Sequence, residues 1–187
     1  EPEQLYRRVL RHRPRNVDAL RLLATIAFRA GRPDEAERLL ERAVALAPDF
    51  LAAFMDLGRL RKEQDRYEEA LACFERAIEL EPSSPQAHFL RGSALAPAAL
   101  THEAIAAYER CLDLRPGHAG ALLGLGHALK TVGRPEGAIA AYHQCIQAKP
   151  DNGESYWSLA NLKTYRFRDA EVAEMQSRLD AGGLSAQ

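Results

Sequence analysis

The side chains with the most chemistry to offer are six histidines, three cysteines and a few acidic pairs, and their spacing decides what they can do. Metal binding on a helix needs ligands that return to one face, and redox or zinc chemistry needs cysteines close together in sequence. His12, His88, His102, His118, His127 and His143 are scattered without such a spacing. Cys73, Cys111 and Cys145 stand far apart, read as small residues in apolar helical surroundings, and fit a reducing compartment. Acidic pairs such as Asp34-Glu35 and Glu68-Glu69 fall where helices begin, so complementing the helix dipole accounts for them. No glycine-rich phosphate loop follows a strand, and neither a His-Glu-x-x-His pattern nor a nucleophile elbow occurs. The expectation for residues 1–187 is no catalytic residue, no metal and no cofactor. Function then rests on binding.

The elements that would carry a binding surface are announced by proline. Pro14, Pro48, Pro82, Pro116 and Pro150 stand at an unbroken interval of 34, half of the ten prolines in the chain. A fixed period in this range means a solenoid, since a unit of this size cannot bury its own apolar face and must stack on its neighbours. Aligned on the prolines, the units are 17–50, 51–84, 85–118 and 119–152, with a half unit over 1–16, a fifth, degenerate unit over 153–181 and a flexible tail over 182–187.

Other columns follow. The eighth place of each unit is small: Ala24, Gly58, Gly92, Gly126 and Ala160. The twentieth reads Ala36, Ala70, Ala104 and Ala138, and the twenty-fourth is bulky, with Leu40, Phe74, Tyr108 and Tyr142, preceded by Tyr6 in the half unit. Small residues facing large ones make an interlocking core. Cys111 and Cys145 share the twenty-seventh place with Ala43 and Ala77. Each unit reads as two helices. In the first, Leu20, Leu23, Ala24 and Ala27 keep helical spacing, Gly31 ends the helix, and Pro33 opens the next, whose stripe of Leu39, Leu40, Ala43 and Leu46 runs to Pro48. Asp49, Ser83 and Asp151 are placed to cap the helices that follow. The third unit departs from the pattern: where others have Gly31, Asp65 and Gly133 at the turn, it runs Ala96-Pro97-Ala98-Ala99-Leu100-Thr101, and Pro97 is expected to shorten or kink the first helix. A final helix is expected over about Asp169 to Asp180.

This small-small-bulky-Pro column set resembles the tetratricopeptide-repeat family over nearly the whole chain. The resemblance implies an all-α, right-handed superhelical solenoid of antiparallel helix pairs. First helices would line its concave face and second helices its convex back. The groove of such a protein receives an extended peptide, a helix or part of the same polypeptide.

With that geometry, places two, five, nine, twelve and thirteen of each first helix face the groove. The fifth places read Arg21, Met55, Phe89, Leu123 and Trp157. Four of the five are large and apolar, which suits either a docking seam for apolar partner residues or burial between adjacent first helices. Trp157 is further expected to cover a neighbouring domain or the C-terminal helix. Beside the seam stand Arg29, Arg59, Lys62, His127, Lys130 and Asn161, with Glu63 the one opposing charge at the ninth, twelfth and thirteenth places. The groove therefore reads as locally basic, the alternative being that long cations merely solvate the face. The expected partner is a protein or peptide with apolar and acidic residues, or a domain of the same polypeptide. The carboxylate clamp of tetratricopeptide co-chaperones is not matched, because its places hold Arg21 and Thr25, and the sixth places hold Leu22, Asp56, Leu90, Gly124 and Ser158.

Residues 153–175, Gly-Glu-Ser-Tyr-Trp-Ser-Leu-Ala-Asn-Leu-Lys-Thr-Tyr-Arg-Phe-Arg-Asp-Ala-Glu-Val-Ala-Glu-Met, are similar to the segment joining repeats to the catalytic domain in bacterial repeat-containing sulfotransferases. That resemblance implies a non-catalytic arm that positions substrate or partner for a domain beyond residue 187. It also implies a bacterial source.

Charge and hydropathy limit the remaining classes. The formal net charge is −1 with 27% charged residues, so no field draws the whole chain to nucleic acid, and groove aromatics are few. No run approaches a membrane span and the N-terminus has no signal core, which points to a cytoplasmic protein. Residue 1 is Glu rather than Met, so the chain is expected to be part of a longer polypeptide. A front edge carrying Leu5, Tyr6 and Val9 would need covering, either by upstream residues or by a homodimer formed through that exposed repeat edge.

Overall fold

The computed structural model describes residues 2–180, and its elements are eleven α-helices. Helix α1 (Pro2–His12) precedes four pairs: α2 (Val17–Arg29) with α3 (Pro33–Leu46), α4 (Leu51–Glu63) with α5 (Tyr67–Leu80), α6 (Pro85–Leu95) with α7 (Thr101–Leu114), and α8 (Ala119–Thr131) with α9 (Pro135–Ala148). Helices α10 (Gly153–Ala160) and α11 (Asp169–Asp180) follow. Each second helix packs closely on its own first helix and again on the first helix of the next pair. Neighbouring first helices also touch, α2 on α4, α4 on α6 and α6 on α8, which places them on the inner, tighter side of the stack. The tail expected over 182–187 lies outside the described residues.

The pairing distance is set where ring meets glycine. A Cβ added to Gly58 would stand 2.5 Å from the Phe74 ring and one at Gly92 2.7 Å from Tyr108, and one at Gly126 would run into Tyr142 in the same way. No real side chain tolerates such separations, so glycine at the eighth place is what allows the aromatic of the second helix to lie against the first. Phe74 and Tyr142 are fully buried. Burying a side chain of this size contributes about 1.5–3 kcal/mol, more than the roughly 1 kcal/mol that glycine costs inside a helix. The first unit solves the same junction differently, with Ala24 against Leu40.

Turns repeat the same logic of one backbone, several residues. Gly31 and Gly133 close their pairs with φ of 71° and 74°, and Asp65 and Ala99 hold the same place at 58° and 62°. Pro97 has the expected effect: α6 stops at Leu95 with 11 residues, where α2, α4 and α8 each have 13. Units are also tied end to end, since Arg42 Nη2 donates to the Pro14 carbonyl at 2.5 Å and Arg76 Nη2 to the Pro48 carbonyl at 3.2 Å.

The capping expectation was off by one residue. The N-cap position falls on the residue after the expected one, Phe50, Ser84 and Asn152 rather than Asp49, Ser83 and Asp151, and of these three Asn152 makes a side-chain cap. Asn16 and Asn152 accept from the amides of Ala19 and Ser155 at 2.8 and 3.1 Å, and His118 Nδ1 from that of Ala121 at 3.1 Å. The turn after each proline consumes one more residue before the helix starts. Helix α11 is held by a polar clasp in which Tyr165 donates to Glu171 at 2.6 Å. Burial opposes ionisation of Glu171, yet bonds from the Tyr165 hydroxyl and from the amide and guanidinium of Arg168 hold its carboxyl at about 2.

Two stability effects follow. Gly92→Ala is expected to lower stability by about 1–3 kcal/mol despite alanine's better helix propensity, and Tyr108→Leu should cost less in that background than alone; urea unfolding of the four-member cycle measures the coupling. Ala99→Gly is expected to raise stability by about 1 kcal/mol by removing a left-handed alanine, read as an upward shift in urea midpoint.

Candidate functional site

The residues with chemical potential do not converge. Among the described residues no group of three or more His, Cys, Asp or Glu is arranged to hold a metal. All three thiols are buried, and burial pushes each up, Cys111 to about 11, away from the thiolate form that reacts. Cys73 corrects the picture of uniformly apolar surroundings: its sulfur receives a hydrogen bond from Arg61 Nη1 at 3.5 Å. Arg61 occupies a place that is Ala27, Leu95 or Leu129 in other units, and it is kept there by Glu37 at 3.2 Å and Glu41 at 3.1 Å. Among the described residues no helix is long and apolar enough to cross a membrane.

The inner face is where the first helices bring the remaining candidates. Of the fifth places, Met55, Phe89 and Leu123 are half-buried against core clusters between consecutive units. The Phe89 ring lies 4.7 Å from His118 and 6.3 Å from Tyr108. Trp157 differs from them in being 67% exposed, so α11 does not cover it. Phe28, at a twelfth place, is 41% exposed and adds a second open ring near the front. Its position in the stripe was the signal available in sequence.

Charge on this face is organised by one carboxylate. Asp56 accepts from Arg21 at 2.9 Å and from Arg59 at 3.3 Å, and Arg21 also lies 5.9 Å from the Phe50 ring centre. Asp56 is a sixth-place residue, outside the five-place stripe, yet it reaches the fifth place of the preceding unit. The front of the groove is thus less basic than a count of its cations suggests. Lys62 lies 3.9 Å from Glu63, while Arg29 and Lys130 are exposed. Toward the back, His127 contacts Ser158 at 3.1 Å and Glu154 at 4.0 Å, and the Asn161 amide donates to the Trp157 carbonyl at 2.9 Å. The structure therefore gathers Arg21, Arg59 and Lys62 on α2 and α4, and His127, Trp157 and Asn161 on α8, on α10 and at the end of α10. Between them α6 offers Phe89 and Ser93. A cavity of about 200 Å³ opens between α2 and α4, lined by Thr25, Phe28, Asp56 and Arg59 above Ala24, Leu40 and Leu60.

Sequence and structure comparisons agree on one architecture. The tetratricopeptide repeat profile matches residues 3–50, 27–94 and 101–162. No curated protein matches the sequence. Among solved structures, MamA superposes with a TM-score of 0.72 at 25% identity over 79% of this chain and 86% of that one. TTC0263, a thermophilic tetratricopeptide protein of Thermus thermophilus, gives 0.70 at 22% identity, covering 83% of this chain and 85% of its own. MamA from Desulfovibrio magneticus RS-1, residues 41 to the end, gives 0.70 at 17% identity over 82% and 98%. These likenesses are of fold.

Burial against Tyr142, together with the charge of Lys130, lowers His127 below the usual histidine range against the opposing pull of Glu154. The folded state then binds fewer protons than the unfolded one near pH 6.5, so stability is full above that value and declines as pH falls through it. His118, lowered chiefly by burial, acts in the same direction. The urea midpoint is expected to drop between pH 7.5 and 5.5, and to drop less in His127→Gln.

Proposed function

The chain belongs to the tetratricopeptide-repeat family, and on that footing we propose that it is a protein–protein interaction scaffold whose inner face receives a segment of another protein. The observation that carries this reading is a run of first helices presenting open aromatic rings, Phe28 and Trp157, beside exposed cations. Large apolar groups cost free energy when left in water and supply most of the affinity when covered, while rim charges set register and association rate. A partner with apolar anchors and acidic residues matches both. Arg59 and Lys62 are the charge partners toward the front and Lys130 and His127 toward the back. Arg21, Arg29, Met55, Phe89, Leu123, Trp157 and Asn161 complete the proposed face. Met55, Phe89 and Leu123 contribute through the edges they leave exposed, since their other sides serve the core.

A second reading treats the repeats as the non-catalytic arm of a larger bacterial sulfotransferase. Trp157 and Val172 support it, being exposed at 67% and 49% within residues 153–175, the segment that resembles the connection to the next domain in such enzymes. The coding sequence after Gln187 tests it: a phosphate-binding loop following a strand is expected, and a stop codon or a continuation without that loop removes it.

The scaffold reading is tested by peptide selection. Displayed peptides captured by the chain should be enriched in acidic residues next to apolar ones. Arg59→Glu combined with Lys62→Glu should reduce capture of those peptides by about tenfold or more. Unchanged capture by a variant whose helical circular dichroism is intact would sink the groove assignment.

A further inference from the structure

The two ends of the stack are built unlike its middle. Of the eleven helices, α1 and α11 are the two with no fully buried residue, and three of the six exposed large apolar side chains among the described residues lie on them: Leu5 at 59%, Val172 at 49% and Leu179 at 57%. A terminal unit of a repeat array ordinarily turns a polar face outward, because nothing stacks beyond it. At the front, Leu5, Arg8, Val9, His12 and Arg13 recur at helical spacing on one face and line a shallow cavity of about 300 Å³. In α5, α7 and α9 the places of Leu5 and Val9 are held by Cys73 and Ala77, Ala107 and Cys111, and Ala141 and Cys145, all buried. The front of α1 is thus a face that the repeat elsewhere covers with a helix. At the rear, Asp169, Val172, Gln176, Leu179 and Asp180 recur at helical spacing on one face of α11 and are exposed. Each face has an apolar centre and charged flanks, and the charges are opposite.

We infer that these faces bind each other between copies: α1 of one chain docks on α11 of the next, and the chain assembles head to tail. Leu5 and Val9 then cover Val172 and Leu179, while Arg8, His12 and Arg13 stand beside Asp169 and Asp180. Charge picks this occupant over the symmetric ones. A dimer through two copies of α1 sets Arg8, Arg11 and Arg13 against themselves, and one through two copies of α11 does the same with Asp169, Glu174 and Asp180. On α1 itself Glu3 is the one acid, and it is engaged by Arg7 and Arg32; on α11 Arg178 is the one cation, and it is engaged by Glu174. Neither neutralises its face. A contact of this kind is heterologous: each copy uses its front once and its rear once, so assembly is open-ended rather than closed at two. The inference draws on no residue of the inner face, so it stands or falls apart from the scaffold reading.

Sedimentation velocity on the untagged chain tests the assignment. The weight-average mass is expected to rise with concentration past that of a dimer, and to fall back toward the monomer in about 1 M salt, where the flanking charges are screened. Leu5→Asp with Arg8→Glu blocks the front, and Val172→Gln with Leu179→Gln removes the apolar centre of the rear. All four positions are exposed, so both variants should keep the helical circular dichroism of the parent. Each variant alone is expected to stay monomeric where the parent assembles, and an equal mixture of the two to form a dimer of one each and nothing larger. A parent chain that remains monomeric, a blocked variant that dimerises by itself, or a mixture that fails to pair would overturn the inference. So would assembly of residues 1–187 that disappears when the flanking coding sequence is restored, which would place the occupant in the same polypeptide.

Discussion

Everything in this solenoid depends on how closely two helices of a pair can approach, and that is decided by one contact between a ring and a missing side chain. Phe74, Tyr108 and Tyr142 lie against Gly58, Gly92 and Gly126 at separations that any Cβ would forbid. The pair spacing, the tilt of one unit on the next and the continuity of the inner face all inherit this geometry, because each second helix packs chiefly on the first helices flanking it. A solenoid has no global core to average out a local misfit, so each unit must satisfy the contact by itself or replace it. The first unit replaces it, with Ala24 against Leu40 in one packed cluster.

Much of this was legible before any coordinate. The proline ladder gave the period, and the eighth and twenty-fourth places gave the packing columns, because both are fixed by backbone geometry that repeats without interruption. Pro97 announced the shortened α6 for the same local reason. What could not be read was the identity of neighbours across units. Asp56 looks like a stray sixth-place charge in sequence, and only stacking shows that it spans Arg21 and Arg59. Met55, Phe89 and Leu123 form a clean apolar stripe on paper, yet the stripe is half consumed by contact between adjacent first helices. The helix caps were displaced by one residue because the turn after each proline has a shape that propensity alone does not specify. Leu40 was visible as the odd member of its column, but its meaning required knowing that Ala24 faces it.

Electrostatics on this chain is a matter of pairs and small nets rather than of an overall field. Arg66 joins Glu37 and Glu69 at 2.7 and 2.6 Å, and Arg7 and Arg32 share Glu3 and Glu35. Such partly exposed pairs contribute little stability each, about 0–1 kcal/mol, but they fix which way long side chains point. On the inner face Arg29 and Lys130 are exposed, Lys62 lies beside Glu63, and Arg21 is drawn down onto Asp56 and Phe50. The face is therefore uneven, with different chemistry at the front, middle and back.

The short α6 and the left-handed Ala99 sit together at the centre of the array, and this position matters mechanically. In a one-dimensional stack, opening fluctuations concentrate at the least favourable junction, whichever unit holds it. The third unit nevertheless packs on both of its neighbours, α6 meeting α5 before it and α8 after it. The front half carries Phe28 and the rear half carries His127 and Trp157, so this irregular unit sets the distance between the two regions.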